Sequence, residues 1–371
     1  MPSWRFDPRQ WRDRLLTSPR FRAWAAAFPL TRPVARRRAR ALFDLCAGFV
    51  YTQVLAACVR LNLFDVLAEG PQSAAALAHR VSLSVEAMER LLAAAISLQL
   101  VARRGERFAL GPLGAAMVGN PGIAAMVEHH AVLYADLHDP VALLRGAGKT
   151  ELSQYWAYAR AENPGGLGAS DVGDYTSLMA ASQPMIAQEV LSAYRLNQHR
   201  HLLDAGGGDG SFAASAASRH RNLHVTLFDL PPVAERARAR FAALGIADRA
   251  TAVGGSFFAD SLPEGADVAS LVRVVHDHND SAALAILRAV HRALKPGGTL
   301  LLAEPMSGTP GAEPVGDAYF GFYLLAMGSG RPRTPAEFQS LLKQAGFAAS
   351  RQVRTRMPML TRLIVATRAA V

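Results

Sequence analysis

From residue 201 onward, short apolar runs alternate with stretches of helical period. The runs fall at 202–203, 225–228, 250–253, 268–275 and 299–303, with amphipathic segments such as 282–294 between them. Strand-length runs separated by helical patterns mark parallel strands joined by crossover helices, so residues 197–371 predict a doubly wound α/β sheet. A last pair, 352–355 and 363–367, flanks Pro358 and predicts a terminal antiparallel hairpin. The helical pattern 282–294 closes at Lys295-Pro296-Gly297-Gly298, a turn that returns the chain to a strand.

Upstream, residues 41–118 carry a different pattern. Residues 50–61 are apolar at helical spacing, and Leu63-Phe64-Asp65-Val66-Leu67 runs into Glu69-Gly70-Pro71. Ser73 can cap a helix that lasts to Arg80, and Ser84 can cap another over 85–98, whose Met88, Leu91, Leu92 and Ala95 share a face. Leu100-Val101-Ala102 and Phe108-Ala109-Leu110, around Arg104-Gly105-Glu106, predict a two-stranded wing. The whole reads as a winged helix. A DNA-binding regulator is one function for such a module, but the face that would enter a groove offers Glu86, Glu89, Arg90, Ser97 and Gln99, with one basic side chain among them. Dimerisation or a scaffold role fits better, and nucleic acid is not the expected partner. Residues 119–196 read as a helical linker that roofs the pocket of the sheet domain, interrupted at Asn163-Pro164-Gly165-Gly166-Leu167-Gly168.

Charge separates the first 40 residues from the rest. The chain of 371 residues carries a formal +10, and residues 1–40 hold eleven Arg against two Asp, so about one net charge is left for the remainder. Trp4, Trp11 and Trp24, three of the four tryptophans, share this arm with Phe6, Phe21 and Phe28. Aromatic rings among arginines suit a membrane interface with anionic lipid, so peripheral contact through residues 1–40 is one expectation. An arm packed on a partner subunit is the other. Half of the residues are apolar, enough for a sizeable core. Cys46 and Cys58 have neither metal nor disulfide spacing, which favours a reducing compartment and a cytoplasmic location. Neither an uninterrupted apolar run of membrane-spanning length nor a signal-peptide pattern is evident.

The candidate chemistry lies at predicted strand ends. Asp204-Ala205-Gly206-Gly207-Gly208-Asp209-Gly210 follows the first apolar run, and Asp229 closes the next. Glycines at 206, 208 and 210, with Ser211 beyond, do not give the G-x-G-x-x-G spacing of a pyrophosphate loop. A plain loop is one reading. The other is a site for a cofactor without phosphates and with a positive centre, such as S-adenosylmethionine, with Asp204 near the sulfonium and amino group and Asp229 accepting from ribose hydroxyls. The run 268–275 leads into His276-Asp277-His278-Asn279-Asp280, and 299–303 into Glu304. A histidine on the edge of the glycine loop can take a proton from a hydroxyl as it attacks a methyl group, while a glutamate orients the ring. His129, His130 and His138 lack the Cys or carboxylate that would complete a metal set, and no metal is expected.

Taken together, these residues resemble the S-adenosylmethionine-dependent O-methyltransferases typified by plant phenolic and acetylserotonin enzymes. The resemblance covers residues 41–367 and includes Gly255-Ser256-Phe257-Phe258 and Gly330-Arg331-Pro332-Arg333-Thr334. It implies a Rossmann-like methyltransferase sheet preceded by a winged-helix dimerisation domain, a homodimer, His276 as general base, Asp229 on the ribose and Phe257 on the adenine. Gly206, Gly208 and Gly210 join the cofactor set. Ser256 stands where the family has an acid, and Val272 where it has a lysine, with the neighbouring Arg273 as substitute. The family's second glutamate falls at Pro332, which leaves Glu304 as His276's carboxylate, and His278 replaces a tryptophan.

The predicted acceptor pocket is apolar: Tyr175 and Met179, then Phe320, Tyr323 and Met327 with Phe322, Leu324 and Leu325. With the arm and the segment 28–59, which contains Arg36-Arg37-Arg38-Ala39-Arg40-Ala41-Leu42-Phe43-Asp44, the chain is similar to the carotenoid-hydroxyl methyltransferases of phototrophic bacteria. That resemblance implies a lipophilic hydroxylated substrate, an acyclic carotenoid of the hydroxyneurosporene or demethylspheroidene type. Alternatives are methyl transfer to a phenolic or bacteriochlorophyll-type molecule, and the DNA-binding regulator.

Overall fold

A computed structural model describes residues 8–146, 148–156 and 169–370; for residues 8, 169–178, 180 and 181 only the backbone is described. The predicted interruption at 163–168, together with Trp4 and Phe6, lies outside the described residues, as does the side chain of Tyr175. The chain divides into two compact units, Met1–Val118 and Gly119–Val371.

The first unit opens with helices Pro8–Thr17 and Pro19–Ala27, the second capped by Ser18, whose hydroxyl accepts from the Phe21 N–H, with Pro19 at its first position. Trp24 stacks on Phe28 with ring centroids 5.1 Å apart, yet both rings are exposed, as are Trp11 and Leu30. A 29-residue helix, Arg32–Arg60, follows. It is the one helix, among the described residues, long and apolar enough by length and composition to cross a membrane. The sequence expectation counted uninterrupted apolar residues, whereas this stretch is broken by Asp44, Thr52 and Gln53. Its Ala56, Cys58 and Val59 are buried, while Leu42, Phe43, Leu45, Phe49 and Val50 are exposed.

Beyond it the winged helix forms as the pattern predicts. Ser73 and Ser84 accept from the N–H groups of Ala76 and Ala87 and cap helices Ala74–Arg80 and Val85–Ser97. Met88, Leu92 and Ala95 face the core, and strands β1 (Val101–Arg104) and β2 (Arg107–Leu110) make the antiparallel wing.

In the second unit the chain builds a seven-stranded sheet from β3 (His201–Ala205), β4 (His224–Asp229), β5 (Ala250–Gly254), β6 (Ala266–Val272), β7 (Leu294–Glu304), β8 (Ala349–Val353) and β9 (Arg362–Thr367). Their spatial order is β5-β4-β3-β6-β7-β9-β8, parallel except for β9, which is antiparallel to both β7 and β8. The doubly wound sheet and the terminal hairpin are as expected. The sheet has helices on both faces, so its central strands are mostly apolar and almost wholly buried; in β6 only Asp267 escapes full burial. One layer packs Phe212, Ala237 and Phe241 on the sheet, the other Ile286, Leu287, Val290 and Phe338. Each of the larger side chains, from Val to Phe, contributes about 1.5–3 kcal/mol when withdrawn from water.

Two departures sharpen the sequence reading. Strand β6 ends at Val272, not 275, because Arg273 takes a left-handed conformation, φ +58°, and turns the chain off the sheet. The turn Lys295-Pro296-Gly297-Gly298 lies inside β7 as a bulge: Leu294 pairs with Ala266, but Thr299 pairs with Val268, and Gly297 supplies the positive φ of +76°.

Candidate active site

The break after β6 delivers His276. Residues Val275–Asp277 form one 3-10 turn, and Glu304, at the end of the neighbouring strand β7, holds it from below. Glu304 Oε1 accepts from the N–H groups of Val274 (3.0 Å) and Val275 (2.7 Å), so a single carboxylate oxygen takes the donors that β6 gives up where it leaves the sheet. Its Oε2 lies 2.6 Å from His276 Nδ1, and on the far side of the ring Nε2 lies 3.1 Å from Asp277 Oδ1. Burial opposes a charge on this imidazole, but Asp277 and Glu304 outweigh it and Arg273 and hold the pKa above the ordinary histidine range. The structure thus brings together His276 and Glu304 and adds Asp277, which the sequence quoted without a role.

The glycine loop stands directly beside this turn. Gly206 has φ +70°, and a Cβ there would meet Val274 Cγ2 at 2.7 Å, so the loop rests on the residue two before His276. Gly208 and Gly210 are also left-handed, at +60° and +81°. Asp204 is 1% exposed beneath the loop; its Oδ1 accepts from the Ser270 hydroxyl at 2.7 Å, and its Oδ2 has no hydrogen-bond partner. Burial raises its pKa to about 7. Asp229 accepts from the N–H of Gly208 (2.8 Å) and of Leu230 (2.7 Å), and burial carries it to about 6. Phe257 is half-buried, leaning on Phe228 and close to Gly206. Ser256 closes its own turn: its N–H donates to Asp260 Oδ2 and its hydroxyl accepts from the Phe258 N–H. Arg273 donates from Nη1 to the Ser182 hydroxyl at 2.7 Å.

An aromatic wall extends from His276. Phe320 meets the imidazole edge-on at 5.7 Å, and Tyr319 and Tyr323 continue the row at 5.0 and 6.4 Å from Phe320. The polar tips of these tyrosines are tied back. The Tyr323 hydroxyl accepts from Trp156 Nε1 (2.9 Å) and bonds His129 Nε2 (2.8 Å), and the Tyr319 hydroxyl bonds His130 Nε2 (2.9 Å). Burial lowers His129 to about 4, so its ring is neutral and Nε2 can accept the phenolic proton. Met179 packs against this cluster and Met327 is fully buried within it. Of the three histidines weighed as metal ligands, His129 and His130 are partners of tyrosines; among the described residues no group of His, Cys, Asp or Glu could hold a metal.

The O-methyltransferase domain family matches residues 166–348, and the O-methyltransferase dimerisation domain family matches residues 43–120. The chain is 43% identical to a demethylspheroidene O-methyltransferase of Cereibacter sphaeroides, over 90% of this chain and 88% of that one. It is 34% identical to the acetylserotonin O-methyltransferase of Mus musculus, over 86% of each. The chain belongs to the O-methyltransferase family. The structure of human N-acetylserotonin methyltransferase, in complex with SAM, superposes with a TM-score of 0.75 at 26% identity, covering 90% of this chain and 98% of that one. For this O-methyltransferase the match at 43–120 makes the first unit a dimerisation domain and supports a homodimer.

Sequence reasoning missed several partners that this O-methyltransferase uses. Ser270 lies on the strand beside Asp204, paired by register, and Ser182 lies 91 residues from Arg273. Neither carries a local signal. Tyr319 was legible in principle, since it stands four residues before Tyr323, on the same helical face.

Proposed function

We propose that this enzyme transfers a methyl group from S-adenosylmethionine to a hydroxyl of an acyclic carotenoid. The observation that carries the site is His276, clamped between two carboxylates next to the glycine loop. The acceptor is drawn from the demethylspheroidene relatives and supported by the apolar faces of Phe320, Tyr319 and Tyr323.

The residues present fit the donor. Asp204 Oδ2 is a buried acceptor without a partner, suited to a cationic ligand, and Asp229 keeps lone pairs for ribose hydroxyls beyond its two backbone bonds. Gly206, Gly208 and Gly210 allow close backbone approach, Phe257 offers a ring face for an adenine, and Arg273 can meet a carboxylate. Ser256, engaged in its own turn, contributes by shaping that turn. When bound, S-adenosylmethionine supplies an electrophilic methyl on a sulfonium.

The protein's part is positioning and proton transfer. Glu304 holds a proton on Nδ1, which leaves Nε2, 3.1 Å from Asp277 Oδ1, as the nitrogen that takes the acceptor's proton once the hydroxyl displaces that contact. An aliphatic alcohol is far less acidic than imidazolium, so its proton moves to Nε2 as the new C–O bond forms or after it. Asp277 and Glu304 then stabilise the imidazolium that results. Met179, Tyr323 and Met327, packed in one cluster, and Phe320, set between His276 and Tyr323, back the acceptor side and exclude water.

Labelled S-adenosylmethionine incubated with the enzyme and a carotenoid extract should yield a labelled methoxycarotenoid by mass spectrometry. A phenol methylated in place of any carotenoid would overturn the acceptor. His276→Ala should reduce kcat by about 100-fold or more while leaving cofactor affinity within a few-fold; near-normal turnover removes it as base.

The location proposed is the cytoplasm, with the arm resting on an anionic membrane surface from which a lipophilic acceptor is drawn. Trp11, Trp24, Phe28 and Leu30, exposed among arginines, support it.

A further inference from the structure

The turn that carries His276 is gripped from its outer side by one fully buried cation. Arg333 has no exposed side-chain surface, and its guanidinium donates from Nη1 to the Val275 carbonyl (3.0 Å) and from Nη2 to the His278 carbonyl (2.7 Å). These are the carbonyls just before and two residues after His276. The fork is itself anchored: Nε and Nη2 donate to Asp280 Oδ1 at 2.9 and 2.7 Å, and the cation lies 5.8 Å from the centre of the Phe338 ring. Its own loop presses on the same turn. Arg331 N–H donates to the His276 carbonyl at 3.1 Å, and a Cβ on Gly330 would fall 2.2 Å from that oxygen.

We propose that Arg333 is the positioning residue for His276, setting from the backbone side the ring placement that Glu304 sets from the side-chain side. The reasons are geometric. Only a planar fork can bridge two carbonyls on either side of one residue while a third donor edge meets a carboxylate. A turn of three residues has no internal ladder to keep it rigid, so the direction of the His276 Cα–Cβ bond depends on what holds its flanking peptides. The neighbouring position, where the family has its second glutamate, is Pro332, which can send no carboxylate to the ring. The loop 330–333 therefore acts on this site through backbone contacts and Arg333. The proposal rests on His276 being the base.

The test is steady-state kinetics of full-length Arg333→Gln and Arg333→Lys, with kcat followed across pH and S-adenosylhomocysteine affinity measured by calorimetry. The titratable and charged groups that face His276 are Asp277, Glu304, Arg273 and His278. A ring that drifts from its two carboxylates is left with burial, which disfavours its charge, so the acid limb of the kcat profile should move to lower pH. Expected for Arg333→Gln is a fall in kcat of roughly 10–100-fold, as for a misplacement near 1 Å. The acid limb should shift down, S-adenosylhomocysteine affinity should stay within about threefold of wild type, and lysine should restore part of kcat. Folded Arg333→Gln with unchanged kcat and limb overturns the proposal, as does an equal loss of kcat and affinity with the limb unmoved. If Arg333→Gln does not fold, Asp280→Asn, which frees the anchor and leaves both carbonyl bonds possible, is read in the same way: a lowered acid limb supports the proposal and an unmoved one overturns it. Retained turnover in His276→Ala would instead sink the reading of the base.

Discussion

Asp204 illustrates how one side chain can cost stability and serve a ligand. Its carboxyl is buried with one oxygen unpartnered, and its pKa is raised from 3.8 to about 7. A carboxyl raised in this way contributes its full stability below pH 3.8, and that contribution is lost as the pH climbs through about 7. At pH 8 the free enzyme therefore carries the whole penalty. Asp204→Asn keeps an acceptor for Ser270 and removes the charge, so the apoenzyme should melt higher at pH 8, by about 1–2 °C per kcal/mol relieved, and little higher at pH 4. The same variant should bind S-adenosylhomocysteine more weakly. Thermal melts at both pH values and calorimetry check this; a lower melting point at pH 8 would show that the charge is compensated. His276 is the opposite case, a buried group whose charge is held up by two carboxylates.

At the scale of elements, the segment 315–327 is decided by partners far away in the chain. It begins as a wide, π-type turn, Val315–Phe320, and tightens to an α-helix, Gly321–Met327. Tyr319 and Tyr323 lie on one side of it, and each hydroxyl meets a histidine of helix Pro121–Asp136. These bonds let an aromatic wall present ring faces without leaving buried phenols unsatisfied. Tyr323→Phe should destabilise the enzyme by about 1–3 kcal/mol, because the His129 and Trp156 bonds lose their partner together. Chemical denaturation measures it, and an unchanged midpoint would mean that water replaces the hydroxyl. The strand-ending conformation of Arg273 belongs to this scale too: a non-glycine residue at φ +58° persists because Glu304 rewards the turn that follows with two hydrogen bonds.

For the molecule as a whole, the uneven charge and the exposed rings concentrate in the first unit's opening helices. Removal of residues 1–31 should abolish co-sedimentation with anionic vesicles at low salt and leave the dimer intact by light scattering. Equal vesicle binding by the truncated enzyme would dismiss the membrane contact; loss of the dimer would assign the arm to the partner subunit. The exposed apolar side chains of helix Arg32–Arg60, from Phe43 onward, lie inside the matched dimerisation region, which accounts for an apolar helix left bare in one chain.

The sequence by itself determined what depends on local periodicity and local chemistry. Strand-length apolar runs, serine caps and the glycines at 206, 208 and 210 defined the sheet, the wing and the loop, because each is specified within a few residues. It also determined that His276 and Glu304 share a sheet edge, since both follow predicted strands. Only the tertiary structure decided that β6 stops at Val272, that Asp277 closes on Nε2, and that Arg333 and Ser270 stand behind His276 and Asp204. Those contacts join residues distant in sequence or depend on a left-handed turn that a β-prone segment does not announce. Hydrogen-bond satisfaction in a closed interior selects them, and that condition exists only after the chain has folded.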